Sequence, residues 1–380
     1  GLEKRPKLRF PGFDEPWKKC EFKEFAKVNP KCQSIPEQFY YIDLGSVEDG
    51  ELSNAKIENA LSAPSRAQRL LSCNDVLFQT VRPYQQNNYL FCKESSLPTV
   101  ASTGYAVFRT KYDVPFLYAL IHTGHFLNSV LSRCTGTSFP AVSASDIEDI
   151  LVSIPSLGEQ QKIGELFKLL NSKIRKQKAL IESLKKYKRG VTEAIFTKDL
   201  RFTTKGVPYP QWDKKYVGDI CKIQTGKSNT QDETSQGSYP FYVRSPIIRK
   251  SNRYLFDCEA VLTVGDGVGT GKVFHYVTGK FDLHQRVYAM TDFKLVSGKY
   301  FYYYFSHFFY DRVMRMTAKT SVDSVRYEMI DKMTIQIPCH EEQQQIVSFL
   351  DCLEHSVIEA EKTLNLLEKL KSGCLQQLFI

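Results

Sequence analysis

Basic side chains alternate with amide, hydroxyl and aromatic side chains in several short polar stretches of this chain. Arginine can pair with guanine through two hydrogen bonds, asparagine or glutamine can pair with adenine, and lysine or serine can bind phosphate. Side chains of these types in loops could therefore read DNA, although each one alone is more typical of an ordinary solvated loop. The candidates for DNA contact are Arg66, Arg82, Tyr84, Gln85, Lys227, Ser228, Arg244, Ser245, Lys272, Gln285 and Arg286.

The sequence matches none of the motifs that usually indicate catalysis or metal binding. The stretch GDGVGTGK at 265–272 resembles a phosphate-binding loop, but its first glycine lies six residues before Gly271 instead of five, and Val273 replaces the magnesium-binding hydroxyl residue. The seven histidines form no HExxH motif, and none lies beside cysteines at zinc-ligand spacing. We expect no catalytic residue, metal site or cofactor in this chain. The glycine-rich stretch is predicted to be a tight hairpin, or else a backbone-lined loop that faces DNA.

The chain contains a repeat at a constant offset of 183 residues, as the positions 154 and 337 show. IPSLGEQQKI at 154–163 recurs as IPCHEEQQQI at 337–346. The repeat is far longer than a solenoid unit, which indicates a domain duplication.

The two halves also begin alike. LRF at 8–10 and at 200–202 precedes a stretch of prolines and aromatic residues that ends in Trp17 or Trp212. The spacing differs slightly between the copies, as expected if the N-terminal part of each half has diverged more than the C-terminal part.

After each Ile-Pro pair, apolar positions follow one another in steps of four and three residues, which is the heptad pattern of a helix seeking a partner. A helix of this length spans roughly 50 Å. Each helix could pack on its own half, but the other copy is the partner of matching length, so we predict an antiparallel pair. The predicted seam comprises Ile163, Phe167, Leu170, Ile174, Ile181, Leu184, Ile346, Leu350, Leu353, Val357, Leu364 and Leu367.

Between the seams the sequence has short strands and turns, as in FYYIDLGSV at 39–47 and in the apolar runs of 260–277, which suggest a hairpin. Each half then has an aromatic-rich helix, over 114–131 and 300–316. We predict an α+β fold, with two homologous globular domains that carry small β-sheets and are separated by an antiparallel two-helix coiled coil with pseudo-two-fold symmetry. The predicted segments are a first domain at 1–153, a first helix at 154–199, a second domain at 200–336 and a second helix at 337–380.

The net charge of +9 is unevenly distributed along the chain. Residues 154–200 carry +6 and residues 337–380 carry −4, which favours pairing of the two helices. The basic total is weak evidence for a polyanionic partner. No apolar run is long enough to span a membrane and no signal peptide is visible, so we expect a cytoplasmic protein with reduced cysteines and no membrane partner.

Together these features resemble the DNA-specificity subunits of type I restriction-modification systems, over essentially the whole chain. In that family two target-recognition domains alternate with two helical regions, each of which opens with the pattern Pro-x-x-x-Glu-Gln-x-x-Ile. TGK at 225–227 and GDGVGTGKV followed by HQR at 284–286 also resemble a target-recognition domain. The helical pattern stands here at Pro155, Glu159, Gln160 and Ile163 and at Pro338, Glu342, Gln343 and Ile346.

The resemblance implies a non-catalytic reader of a bipartite site in double-stranded DNA, with one half-site for each domain and the helices as the ruler between them. It implies two modification subunits, which carry S-adenosylmethionine and methylate adenine, and restriction subunits that use ATP and Mg²⁺. The alternative is a duplicated coiled-coil adaptor that binds polypeptide. A self-contained nuclease or methyltransferase is a third hypothesis. DNA binding that weakens steeply with salt would distinguish the reader from the adaptor.

Overall fold

The computed structural model describes residues 5–31, 34–53, 55–92, 96–267, 269–316 and 324–380. The chain divides into two compact units, of which the first comprises Gly1–Ala179 and Lys362–Ile380 and the second comprises Leu180–Glu361. The predicted segments kept each long helix whole. The compact units instead divide each long helix between them, because each part of a helix packs most closely with its nearest globular elements.

The described part of the first unit contains short strands and short helices that precede a long helix. They are β1 (Lys18–Glu21), α1 (Phe22–Phe25), β2 (Lys27–Val28), β3 (Gln38–Ile42), β4 (Val47–Glu48), β5 (Glu51–Leu52), β6 (Lys56–Asn59), β7 (Ala67–Leu70), β8 (Asp75–Gln79), β9 (Tyr89–Phe91), β10 (Thr99–Ser102), β11 (Tyr105–Arg109), α2 (Val114–Leu120), α3 (Gly124–Leu131), α4 (Ala144–Glu148), β12 (Leu151–Ile154) and the long helix α5 (Leu157–Thr197). The composition is the α+β mixture that the sequence predicts.

Two four-stranded sheets form the body of the first unit, with strand orders β2-β11-β8-β9 and β6-β3-β10-β7. Strand β8 is buried along its whole length, as expected for an apolar central strand. The helix predicted over 114–131 is two helices, α2 and α3. The break occurs because the Thr123 side chain accepts a hydrogen bond from the Phe126 backbone N–H and so caps a new helix.

In its described residues the second unit repeats this order, except that a short two-stranded hairpin precedes it and the pair β4–β5 has no counterpart. Its elements are β13 (Thr203–Thr204), β14 (Val207–Pro208), β15 (Asp213–Tyr216), α6 (Val217–Ile220), β16 (Lys222–Thr225), β17 (Tyr239–Tyr242), β18 (Arg249–Ser251), β19 (Phe256–Asp257), β20 (Ala260–Val264), β21 (Phe274–Val277), β22 (Lys280–Leu283), β23 (Val287–Thr291), α7 (Gly298–Met316), α8 (Tyr327–Asp331), β24 (Thr334–Ile337) and the long helix α9 (His340–Gln377).

The sheets of the second unit correspond to those of the first. Their strand orders are β16-β23-β20-β21 and β18-β17-β22-β19, and β15 pairs with β24 as β1 pairs with β12. Strands β20 and β21 form an antiparallel pair, so the predicted hairpin over 260–277 is confirmed. The matching topology is the structural counterpart of the sequence repeat.

Within the first unit, the early part of α5 lies against the late part of α9. The ring of Phe167 lies 5.9 Å from that of Phe379, two residues beyond the end of α9, and Lys178 Nζ lies 4.0 Å from Glu368 Oε1. Later residues of α5 thus meet earlier residues of α9, which is antiparallel pairing.

Within the second unit, the late part of α5 pairs with the early part of α9 in the same sense. Lys185 Nζ lies 2.8 Å from Glu361 Oε1, and Lys188 forms an ion pair with Glu354. The opposite charges of the two helix segments therefore meet as ion pairs.

The predicted seam positions are shielded from solvent along both helices. The first turns of each helix, however, belong to the core of its own unit, so packing on the nearest globular domain and helix pairing both occur. The buried seam residues are Ile163, Phe167, Leu170, Ile181, Ile346, Leu350 and Val357, and the half-buried ones are Ile174, Leu184, Leu353, Leu364 and Leu367.

A buried ion pair fixes the start of each long helix. In the second unit the fully buried Glu342 accepts hydrogen bonds from Arg201 Nε at 3.0 Å, from Arg201 Nη2 at 2.8 Å and from Trp212 Nε1 at 2.7 Å. These three residues come from the repeated LRF motif, from the tryptophan that follows it and from the Glu-Gln pattern. The corresponding residues of the first unit are Arg9, Trp17 and Glu159.

Candidate nucleic-acid interface

Three loops of the second unit enclose a polar cleft of about 320 Å³. They are the loop 226–231 after β16, the loop 243–248 after β17 and the turn 284–286 between β22 and β23. Strand pairing holds them together, because the first of these loops forms a bridge to the turn through Ser228 and His284. The residues that line the cleft are Asn229, Thr230, Gln231, Arg244, His284, Gln285 and Arg286.

Asp266 holds two of the arginines that line the cleft. It lies in the glycine-rich loop 265–273, and its Oδ1 accepts a hydrogen bond from Arg244 Nη1 at 3.2 Å. Its Oδ2 accepts a second hydrogen bond, from Arg286 Nη1. Partial burial acts to raise the pKa of Asp266, but the hydrogen bonds from Arg286 and Arg244 outweigh it and keep the pKa below the ordinary value of 3.8. The carboxylate is therefore charged at neutral pH.

The glycines of this loop allow it to approach the arginines closely. A Cβ atom at Gly265 would lie 2.8 Å from the backbone oxygen of Arg286, and one at Gly269 would lie 3.2 Å from the backbone oxygen of Arg244. Gly267 has a φ of +85°, which L side chains rarely adopt. The glycine-rich stretch is thus a hairpin connection that needs its glycines for close approach; its Val268 lies outside the described residues.

Amide groups form the other side of the cleft. Gln285 Nε2 donates to Asn229 Oδ1 at 2.5 Å, and the backbone N–H of Arg286 donates to His284 Nδ1 at 3.1 Å. Burial and the nearby arginines lower the pKa of His284, so its imidazole is neutral at neutral pH. The cleft therefore combines cationic forks with neutral hydrogen-bonding groups, which is the chemistry that base edges require.

Ser228, which the sequence predicts as a DNA contact, has its hydroxyl engaged within the protein and does not line the cleft. Its side chain is buried, and its Oγ donates to Asp282 Oδ1 at 2.6 Å and accepts from Arg253 Nη2 at 2.9 Å. Arg253 also donates to Asp232 at 2.8 Å. This network braces the loop 226–231 from behind, because a buried carboxylate needs such partners.

The other candidates of the second unit lie outside the lining of the cleft. Lys227 is exposed on the same loop, and Ser245 Oγ donates to the backbone oxygen of Ile247. Lys272 Nζ lies 5.0 Å from the centre of the Tyr310 ring, a cation–π contact. The structure thus brings together Arg244, Gln285 and Arg286 from the predicted set.

In the first unit, three of the four candidates cluster in the loop 80–88. The Arg82 guanidinium lies 4.4 Å from the centre of the exposed Phe139 ring. Gln85 Oε1 accepts from Gln79 Nε2 at 2.8 Å. Tyr84 is half exposed, at 52% of its surface, and Arg66 is exposed on the loop before β7.

The two units place different chemistry at the same position of the fold. The backbone N–H of Thr80 donates to Gly104 in the first unit, as that of Gly265 donates to Arg286 in the second. Asp266 therefore corresponds to Val81, whose bridge to Ala141 matches that of Asp266 to Ser324. The first unit thus lacks a carboxylate where the second unit has one.

Sequence analysis missed several residues of the cleft. Asn229 and Thr230 follow closely after TGK at 225–227, so their residue types were a usable signal. Asp266 lies in the glycine-rich stretch that the sequence predicts to be a turn. Its two arginine partners are distant in sequence, so no local pattern indicates that they contact it. His284 stands in the HQR stretch at 284–286, so it also carried a signal, whereas Gln231 carries none.

Within the part of the chain that the structure describes, no group of three His, Cys, Asp or Glu side chains could hold a metal ion. No helix among the same residues is both long and apolar enough to cross a membrane.

The repeated fold and the loop-lined cleft define a duplicated domain protein whose long helices pair within each unit. The family model of the type I restriction modification DNA specificity domain matches residues 15–186 and 209–371. The chain belongs to this family.

Individual relatives agree with this assignment. The type I restriction enzyme EcoDI specificity subunit of Escherichia coli is 26% identical over 145 residues, which are 37% of this chain and 31% of that relative. The S subunit of a type I restriction-modification system from M. genitalium superposes with a TM-score of 0.69 at 13% identity, covering 99% of each chain. A structure concerned with complex assembly and conformational transition of the type I R-M system gives a TM-score of 0.54 at 20% identity, covering 98% of this chain and 99% of that one. At these identities the structural matches establish the fold alone.

Proposed function

We propose that this chain is the DNA-specificity subunit of a type I restriction-modification complex, and that each unit reads one half of a bipartite DNA site. The observation that carries the proposal is the cleft of the second unit, where Arg244, Arg286 and Gln285 meet in one place. Arginine forks and amides are the groups that distinguish base pairs in the major groove. Family membership supports the same role.

The two units are proposed to read different sequences. Asp266 and its two arginines have no equivalent at Val81 in the first unit, whose loop instead offers Arg82, Tyr84 and Gln85. Base recognition depends on which side chains a loop offers. The two half-sites should therefore differ.

The long helices are proposed to be the ruler between the half-sites. Two readers on a rigid support bind half-sites of fixed spacing, and linking them raises the affinity through effective concentration. The shielded seam and the ion pairs of Lys185 and Lys188 support a rigid helix pair.

The same helices are proposed to hold two modification subunits, which would supply S-adenosylmethionine and the adenine methylation. Restriction subunits would bring ATP and Mg²⁺, and the chain itself would be non-catalytic. Both reactions would act on DNA inside the cell, so we expect the chain to act in the cytoplasm.

Binding of the assembled complex to duplex DNA tests this function. We expect the logarithm of the affinity to fall linearly with the logarithm of the salt concentration, because phosphate contacts release counterions. Affinity that does not change with salt would contradict a DNA reader and would favour the protein-binding adaptor.

A double substitution tests the ruler. Ile174→Asp with Val357→Asp places charges at shielded seam positions, and we expect it to abolish joint reading of the two half-sites. The matched control is Ser183→Asp with Asn365→Asp, at exposed positions of the same helices. Unchanged bipartite recognition in the seam variant would refute the ruler.

A further inference from the structure

Among the described residues, the hydrogen bonds of the two cleft arginines involve one corner of each guanidinium group. Arg244 and Arg286 each donate to Asp266 through Nη1. In the described ranges of the chain, neither donates a hydrogen bond through Nε or Nη2. That edge of each group is the two-pronged donor that matches guanine O6 and N7.

Other arginines of the second unit use this edge to hold the fold together. Arg201 donates to Glu342 through Nε and Nη2. Arg253 donates through Nη2 to Ser228 and Asp232. The guanidinium atoms that donate hydrogen bonds within the protein therefore distinguish structural arginines from those whose two-pronged edge remains available to a ligand.

We infer that Asp266 is a positioning residue that orients Arg244 and Arg286 for guanine, so that the half-site read by the second unit contains guanine contacted by these two arginines. The inference rests on the proposed function and adds the base to it. Asp266 acts through the arginines: it binds Nη1 of each and fixes the plane of each group. An arginine held in this way loses less conformational freedom when it binds.

The loop backbone is built to keep Asp266 between the arginines. The Gly265 N–H donates to the backbone oxygen of Arg286 at 2.8 Å, and its own backbone oxygen accepts from the Val325 N–H at 2.7 Å. A Cβ at Gly265 or Gly269 would crowd the backbone of the loops that carry the arginines. Side-chain pairing and backbone contact thus fix the same geometry.

The first unit offers no such arrangement in its described residues. Val81 occupies the place of Asp266, and the Arg82 guanidinium packs on Phe139. The requirement for guanine through an Asp-bridged arginine pair is therefore expected at one half-site only, which makes the effect of its loss asymmetric.

Selection of duplexes randomised at both half-sites, by the full chain assembled with its modification subunits, tests this inference. For Asp266→Ala we expect the preference for guanine to fall by about tenfold at one half-site, within the roughly 5- to 150-fold that a two-pronged contact contributes. Arg286→Lys should have the same effect, because an ammonium group has no fork. Asp257→Ala, at an exposed residue of the edge strand β19, is the matched control and should leave both half-sites unchanged.

The outcomes separate the inference from the proposed function. Full retention of guanine preference by Asp266→Ala and Arg286→Lys would overturn the inference, as would an equal loss at both half-sites. A wild-type complex that selects a site without guanine in either half would also overturn it, while leaving the proposed function intact. A wild-type complex with no sequence preference would overturn the proposed function itself. Retained preference at the other base pairs of the same half-site shows that the second unit of a variant is folded.

Discussion

Removal of the arginine beside Glu342 should destabilise the second unit strongly. Arg201→Met keeps an unbranched side chain over Trp212 but leaves a fully buried carboxylate with the indole N–H as its remaining donor from this trio. Breaking a buried ion pair in this way costs about 3–5 kcal/mol. Arg201→Met with Glu342→Met removes both charges, and we expect it to recover at least about 2 kcal/mol of that loss, since a buried ion pair is often replaceable by apolar side chains.

The chain has two tryptophans, and each lies at one of these ion pairs. Incorporation of 5-fluorotryptophan therefore gives one ¹⁹F NMR reporter for each unit. Urea titration of the full chain yields an unfolding midpoint for each signal. The change in midpoint between variant and wild type, multiplied by the dependence of the free energy on urea concentration, gives the change in the free energy of unfolding. The unfolding midpoint reported by Trp212 should decrease more than the midpoint reported by Trp17. A loss below about 1 kcal/mol in Arg201→Met, or a double variant no more stable than the single one, would refute the reasoning.

Three further predictions concern stability. Burial lowers the pKa of His122 from its ordinary value of 6.5 to about 4. Because the fold favours the neutral imidazole, the contribution of His122 to stability is complete above pH 6.5. The free energy of unfolding then falls by up to about 3 kcal/mol as the pH decreases towards 4. His122→Asn should flatten that dependence in urea titrations at each pH. Gly190→Ala should stabilise α5 by roughly 1 kcal/mol, because no atom lies within 4 Å of the added Cβ, and thermal unfolding would show it. Gly226→Ala should cost about 1–3 kcal/mol or more, because its Cβ would lie 2.0 Å from the Leu283 oxygen; Gly124→Ala, with open space, is the control, and equal midpoints would contradict the crowding.

The residues that hold the start of each long helix could be recognised in the sequence one by one, but their contacts with one another could not. The repeat indicates that Glu159 and Glu342 occupy the same place near the start of each long helix. The structure adds that Arg201 reaches Glu342 across 141 residues. No local pattern joins them, because only the folded chain brings the LRF motif to the helix start.

The side chains of the cleft were predictable by type and less so by position. Arg244, Gln285 and Arg286 stand out as basic and amide residues in loops, and they do meet in one cleft. Ser228 has an equally suitable side chain, but Asp282, 54 residues away, uses its hydroxyl. Whether a polar residue in a loop is available to a ligand depends on such distant partners, which composition does not reveal.

The division between the buried frame of each unit and its exposed loops explains how two units of one topology can offer different chemistry. The energy that holds each unit lies in its buried strands and in the ion pairs at Glu159 and Glu342, none of which involves the cleft residues. An exposed arginine or amide contributes little to stability, since surface ion pairs are worth about 0–1 kcal/mol. Loops that carry Val81 in one unit and Asp266 in the other can therefore differ without loss of the fold. The glycines at 265 and 269 are the exception, because there the reading geometry depends on backbone approach, and change at these two positions should alter specificity and stability together.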